Sequence, residues 1–550
     1  MLLNKNIGPP AASLIPHQRL LFLFLTVVAG LLVLLPFHDF QYFLAQGDHG
    51  RDLYCFKKTM EGALPYRDYS WLFGPLMPYY YSLFYHLFGV SIQSVLLGQN
   101  LIILLAGVFI FLICSVFISS SMAFMCALWY WAFRDVEFFY TYNHIGGLLT
   151  LLAAIYFSFR YIDKNRRFYV CGGFASLLLL MLIRLNMGVA ALIPFFVTLC
   201  MTDVLKKDPQ APQKRRLYFC ISVGILAAAG LIYWLLLHSL PDYAIRQSFP
   251  YGKSQRTDYT GNVWSSVRLL WYIGALYFTA TWPQRIFGIL LIFSALQTVF
   301  LVVSKRLSQT HKTNILLAAV ALGLFTLFSL HEFFASGVFY RLYWTIPLVL
   351  IGIFLLVGTA TAPLSSPVVK TLILWTFFLP PFFRIENQSS FIQSLKNPYH
   401  MLHIGKNRIY TAQSPLWFNT VTQAARFLIS HVPKHEKILV MPLDPLYLFL
   451  SERDSATRQL VFFDHINIPP KQEKEIIAEL ERQNVQWVVI SNRAHSKEQG
   501  LGVLGQTYCL LITDYLEHHF QIAAEFGEWS HPDPGWIENH GVRVLKRAVK

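Results

Sequence analysis

The sequence predicts an α-helical polytopic membrane protein with a soluble α/β domain at its C-terminus. Three observations lead there. Of 550 residues, 55% are hydrophobic and 14% charged, whereas an ordinary soluble domain is about 25% charged. Apolar runs of about 18 residues or more, long enough to cross a bilayer, recur through the first two-thirds of the chain. From about Lys396 the composition turns charged, His-containing and ordinarily soluble. The same composition excludes disorder, collagen and a disulfide scaffold.

The first apolar run, Leu20 to Pro36, follows Lys5 and Arg19 and so has the start of a signal peptide. No small-residue cleavage site follows it, which makes it a helix. Further runs occupy approximately 92–118, 120–133, 144–162, 168–185, 188–203, 217–237, 285–303, 313–330, 342–358 and 368–382. The expectation is about eleven spans.

Orientation follows from the short loops, because Lys and Arg collect on the cytoplasmic side. Basic clusters lie at Arg160 to Arg167, at Lys206-Lys207 through Arg216, and at Lys305-Arg306 with Lys312. With these loops inside, the N-terminus is inside. An odd span number then puts the loops 38–91 and 238–270 and the C-terminal region outside; an even number would return the C-terminal region to the inside. The division expected is a transmembrane domain over 1–395, with external loop 38–91, and an extracytoplasmic α/β domain over 396–550, in a bacterial inner (cytoplasmic) membrane.

In that second domain, Lys437 to Met441 and Val485 to Ile490 read as buried strands. Pro470 to Asn484 has helical spacing, with Ile476, Ile477 and Leu480 set among charges. Strand, helix and strand in this order make a small α/β unit, and Val542 to Leu545 reads as a last strand. The stretch Gly500-Leu-Gly-Val-Leu-Gly505 satisfies the dinucleotide pattern GxGxxG, but its preceding strand ends near Ser491, so it reads as a loop.

The net charge of +15, from 45 Lys and Arg against 30 Asp and Glu, sits in loops between apolar runs. It fits topology and anionic lipid headgroups rather than a nucleic-acid partner. Five of the seven cysteines lie in or beside apolar runs, and Cys55 and Cys509 fall in aqueous segments without geometric support for a bridge. The 18 histidines include no HExxH, so no structural zinc is expected, and a catalytic divalent metal is left open. No GxSxG, Walker loop or RNA-binding signature is present.

Candidate chemistry concentrates in the first long loop: Gly47-Asp-His-Gly-Arg-Asp52, Phe56 to Gly62, Pro65-Tyr-Arg-Asp-Tyr69 and Gly74-Pro75. Asp48 stands beyond the end of the first span, where it can face a cavity at the membrane surface. Tyr54 to Glu61 has the pattern of a short helix lying along the interface, and Tyr79-Tyr80-Tyr81 with Phe84-Tyr85 places rings at headgroup level. The order of acidic residue plus glycine, short helix, EGALPYRDYSWLFGPL and aromatic YYYSLFYHLFG resembles the first external loop of polytopic GT-C glycosyltransferases. It resembles in particular the dolichyl-phosphate-mannose protein mannosyltransferase and aminoarabinose lipid A transferase group. The resemblance extends more weakly to Arg184-Leu-Asn-Met-Gly188, to Arg341 and to the α/β tail.

What this resemblance implies is inverting transfer of a sugar from a polyprenyl-phosphate carrier to a cell-envelope glycan, lipid or protein. Such a reaction needs a base for the acceptor hydroxyl, positive charge for the departing phosphate and an apolar groove for the lipid. Asp48 matches the family's acidic position and is the candidate catalytic base; its other reading is an N-cap of the next helix. The family often has a second acidic residue beside it, where this chain has His49, which weakens the case for a carboxylate pair or a metal. Arg51 and Asp52 read as donor-binding groups or as a local ion pair. Asp68 is a candidate for orienting the acceptor or a turn former, and Asp135 or Glu137, in a second external loop, is a candidate for positioning the acceptor or part of a solvated loop. Arg184 and Arg341 are the candidates for the leaving phosphate, because a guanidinium binds phosphate oxygens in a bidentate way; topological anchoring is the alternative for each. The rival from another class is a transporter or flippase for a lipid-linked saccharide. That would favour ionisable residues lining the mid-membrane, from which the spans are nearly free.

Overall fold

The computed structural model describes residues 16–34, 48–132, 142–248, 309–332, 343–361, 372, 401–410, 415–462, 466, 468–492, 502–530 and 540–548. The first part is helical: α1 (Pro16–Leu34), α2 (Asp48–Met60), α3 (Leu76–Phe88), α4 (Ile92–Cys114), α5 (Ser120–Ala132), α6 (Tyr142–Lys164), α7 (Arg167–Ile183), α8 (Leu185–Leu205), α9 (Ala211–Leu237), α10 (Asp242–Ser248), α11 (Gln309–Ser329) and α12 (Ile346–Thr361). Each apolar run expected within the described residues is a helix. The runs 285–303 and 368–382 fall outside them, Leu372 apart, as do Asp135, Glu137 and Arg341.

Among the described residues, five helices are long and apolar enough to cross a membrane, α1, α4, α6, α8 and α9, and α7, α11 and α12 are shorter apolar helices. The apolar character is not confined to inward faces. On α1, Phe24 is 64% and Leu32 69% exposed, and on α9 Trp234 is 59% exposed. In water each such side chain would forgo about 1.5–3 kcal/mol of burial; hydrocarbon removes that cost. Helix ends are marked locally: Ser91 caps α4 by accepting from the Ser94 amide at 3.2 Å. Arg184, with φ −146° and ψ 94°, is extended and breaks α7 from α8.

The chain then forms β1 (Met401–Ile404), β2 (Asn407–Tyr410), α13 (Pro415–His431), β3 (Ile438–Met441), α14 (Leu446–Ser451), α15 (Pro470–Arg482), β4 (Trp487–Ser491), α16 (Leu510–His519), β5 (Phe520–Gly527) and β6 (Gly541–Arg547). The strands β1 and β2 make an antiparallel hairpin, and the others a four-stranded sheet of order β3-β4-β6-β5. The β3–β4 pair is parallel, with Ile438 opposite Trp487. A parallel pair needs a crossover, which α14 and α15 supply. The expected strands, helix and last strand are thus present. The loop reading of 500–505 holds where it is described: Gly502 and Gly505 have positive φ and belong to no strand or helix. The hairpin, α13 and β5 were not foreseen.

This α/β region lies directly on the first loop. The Ser455 amide donates to the Tyr54 hydroxyl at 2.8 Å, the Ser70 amide to the Arg458 carbonyl at 2.8 Å, and Arg458 Nη1 to the Tyr66 carbonyl at 2.8 Å. Tyr85 stacks with Phe449 at a centroid distance of 6.3 Å, and one apolar core runs without interruption from α2 through α14 into the sheet.

Candidate active site

The site is built on α2, which starts at Asp48, earlier than the expected Tyr54, and so brings the whole charged stretch Asp48 to Asp52 into one helix. Helical spacing places Asp48 and Arg51 on neighbouring turns, and Arg51 Nη1 lies 2.9 Å from Asp48 Oδ1. The same guanidinium turns to Asp52, with Nη2 2.7 Å and Nε 3.0 Å from Oδ1. Asn143, at the start of α6, donates to Asp52 Oδ2 at 3.4 Å. Arg51 and Asp52 therefore do form an ion pair, and Asp48 shares the guanidinium.

The two carboxylates differ in access. Asp48 keeps 31% of its side chain exposed, whereas Asp52 keeps none. Burial pushes the Asp52 carboxyl up to about 7 against the lowering effect of Arg51, and Arg51 is held above its ordinary range because its two carboxylate partners outweigh its own burial. The pair sits in an aromatic surround. Arg51 lies 5.1 Å from the centroid of Phe73 and 5.7 Å from that of Trp71, within cation–π range. His49 packs against Tyr142 at 4.9 Å, and Phe56 stacks on Tyr81 at 4.7 Å.

The loop that follows has a defined shape. Asp68 accepts from the Leu64 amide at 2.7 Å and pairs with Arg67 at 2.8 Å, which holds its carboxyl below the usual range, chiefly through the Arg67 hydrogen bond. Its carboxylate thus closes the turn around Tyr66, a residue with φ 69°. Trp71 Nε1 donates to the Gly74 carbonyl at 2.9 Å. The Gly74 amide donates to the Ile183 carbonyl at 2.9 Å, and a Cβ on Gly74 would meet the Leu182 carbonyl oxygen at 2.1 Å. Only glycine allows this approach.

Through that contact the loop reaches Arg184. Its guanidinium carbon lies 5.1 Å from the Phe73 centroid, the same distance as that of Arg51. Two guanidinium groups from separate parts of the sequence thus share one ring. Arg184 is buried and ion-paired with Glu332, just past the end of α11. Glu332 was not recognised in the sequence: it follows directly on an apolar run, and its partner is 148 positions away. Of the residues expected to act, the structure gathers Asp48 and Arg184 around Arg51 and Phe73, keeps Asp68 in the adjoining turn, and leaves Asp135, Glu137 and Arg341 undescribed. Among the described residues, no group of three His, Cys, Asp or Glu side chains gathers in a way that could hold a metal ion.

No family model and no curated protein matches the sequence. Solved structures do match the fold. Aminoarabinose transferase ArnT from Cupriavidus metallidurans bound to undecaprenyl phosphate aligns with a TM-score of 0.56 at 12% identity, covering 96% of this chain and 97% of that one. The apo state of the same protein gives 0.54 at 14% identity over 96% and 97%. The apo oligosaccharyltransferase of Archaeoglobus fulgidus gives 0.50 at 12% identity, covering 88% of this chain and 70% of that one. The chain shares the polytopic fold of these structures.

Proposed function

We propose that this chain is a membrane glycosyltransferase that moves a sugar from a polyprenyl-phosphate-linked donor to a cell-envelope glycan, lipid or protein with inversion. The observation that carries this reading is the division of labour on α2: Asp52 is buried and spent on Arg51, while Asp48, on the same guanidinium, keeps an exposed face. A general base must reach its substrate, and of the two only Asp48 has the access.

In the proposed reaction the Asp48 carboxylate takes the proton of the acceptor hydroxyl, and the hydroxyl oxygen attacks the anomeric carbon from the side opposite the phosphate. The bond from that carbon to the phosphate oxygen breaks, and the polyprenyl phosphate leaves with the electron pair. Arg184 and Arg341 are the residues we assign to the departing phosphate, as guanidinium groups where negative charge develops. Asp68, Asp135 and Glu137 are assigned to the acceptor side. The undecaprenyl phosphate bound by ArnT is the chemical precedent for the carrier. We place residues 1–395 in the membrane as the catalytic domain and 396–550 outside as an extracytoplasmic domain of an inner-membrane protein. A reporter fused at Lys550 would give a cytoplasmic signal if that placement is wrong.

The test is mass spectrometry of purified protein incubated with a panel of polyprenyl-phosphate sugars and envelope acceptors, reading release of polyprenyl phosphate. Wild type should release it, and Asp48→Asn should be slower by about 10²–10⁴-fold while eluting as the same folded species. Near-normal release by the variant would remove Asp48 as the base. No release by folded wild type with any donor, divalent metal supplied, would favour a transporter.

A further inference from the structure

Glu332 is 2% exposed at the end of α11, against the break between α7 and α8. Besides its ion pair with Arg184, it accepts from Asn186 Nδ2 on Oε1 at 2.8 Å and from Trp344 Nε1 on Oε2 at 3.2 Å. His331 Nε2 lies 3.0 Å from Asn186 Nδ2. The carboxylate is therefore fixed from three directions, by α8, by the segment leading into α12 and by the arginine itself. A charge in such a place is tolerated because it is paired.

This arrangement bears on the arginine we assign to the leaving phosphate, and the inference rests on that assignment. A guanidinium already neutralised by a buried carboxylate offers less attraction to a second anion, and a phosphate that approaches Arg184 also approaches Glu332. We propose that Glu332 is a positioning residue that holds Arg184 in the resting site and competes with the carrier phosphate for it. The donor and the spent carrier both end in a phosphate, so a residue that tempers the grip on phosphate also lets the product leave. Tight retention of spent carrier would slow turnover.

The experiment uses the full-length protein in lipid nanodiscs and measures binding of undecaprenyl phosphate, together with KM and kcat for transfer. Glu332→Gln keeps the size of the side chain and removes the charge. It should bind undecaprenyl phosphate on the order of tenfold more tightly and lower KM and kcat together. In an Arg184→Gln background the same change should have no effect on binding. Glu332→Asp, which withdraws the carboxylate by one methylene, should tighten binding by about two- to threefold and serves if the glutamine variant does not fold. Unchanged or weaker binding in the folded Glu332 variants, or an equal gain without Arg184, would overturn the competition while leaving the assigned donor intact. Failure of wild type to bind undecaprenyl phosphate at all would overturn both.

Discussion

Gly74 and Ile183 are joined backbone to backbone, the amide of the first donating to the carbonyl of the second at 2.9 Å, so the first loop is tied to the residue that precedes Arg184. The contact explains why Phe73 can lie beside both Arg51 and Arg184. It also explains the glycine in the Phe-Gly-Pro-Leu stretch, since any side chain would strike the end of α7.

Gly74→Ala should therefore separate loop from helix. Overpacking at a rigid backbone contact costs about 1–3 kcal/mol, and transfer should fall although no chemical group is lost. Thermal unfolding in detergent together with turnover would check this. A variant that melts and turns over like wild type would show that the loop can retreat without consequence.

Asp52 makes stability depend on pH. Its carboxyl is raised by burial from an ordinary 3.8 to about 7, so between those values the folded state holds a proton that the unfolded state has released. The contribution of this group is fully present below about pH 4 and is lost as pH rises through about 7. Asp52→Asn should flatten that part of the profile of melting temperature against pH while leaving Arg51 with Asp48 alone. Parallel profiles for variant and wild type would exclude Asp52 as the titrating group.

The seat of α14 on α2 is equally tight. A Cβ on Gly50 would meet the Leu446 amide nitrogen at 2.5 Å. Gly50→Ala should push the α/β region away from the helix that carries Asp48, destabilising by about 1–3 kcal/mol and raising protease sensitivity between 415 and 460. Limited proteolysis compared with turnover reads this directly; undiminished protection would mean that α14 is not held there.

At the opposite end of the bundle, the buried Asp203 accepts from the hydroxyls of Tyr161 at 2.5 Å and Tyr218 at 3.0 Å, joining α6, α8 and α9. Hydrogen bonds to a charged group contribute about 1.5–3 kcal/mol. Asp203→Asn should lower the melting temperature yet leave KM and the folded fraction's kcat alone, since the network is remote from α2. A selective fall in kcat would reveal communication between the two ends.

How far the sequence reached depends on the range of the interaction. Apolar runs dictate helices by themselves in a membrane, because each backbone group finds its partner within the segment, and α4 to α9 were legible for that reason. The strands β3 and β4 were legible as short continuous apolar runs. The strand β5 was not: Gln521, Ile522, Ala523 and Ala524 carry no alternation, and only Phe520 of the strand is buried, so pairing with β6 rather than local preference makes it a strand. In the site, Asp48, Arg51 and Asp52 lie within one turn or so and could be related by helical spacing. Glu332 could not be related to Arg184, because no local pattern reports a pair 148 positions apart.

The contact between Tyr54 and Ser455 spans 401 positions of sequence. At about 5–20 residues per second, a ribosome needs roughly 20–80 s to travel from the helix bearing Asp48 to the segment that braces it. During that interval the early loop is in place without its support. The brace on α2 therefore arrives late in biogenesis, and a chain released before Ser455 is made lacks it.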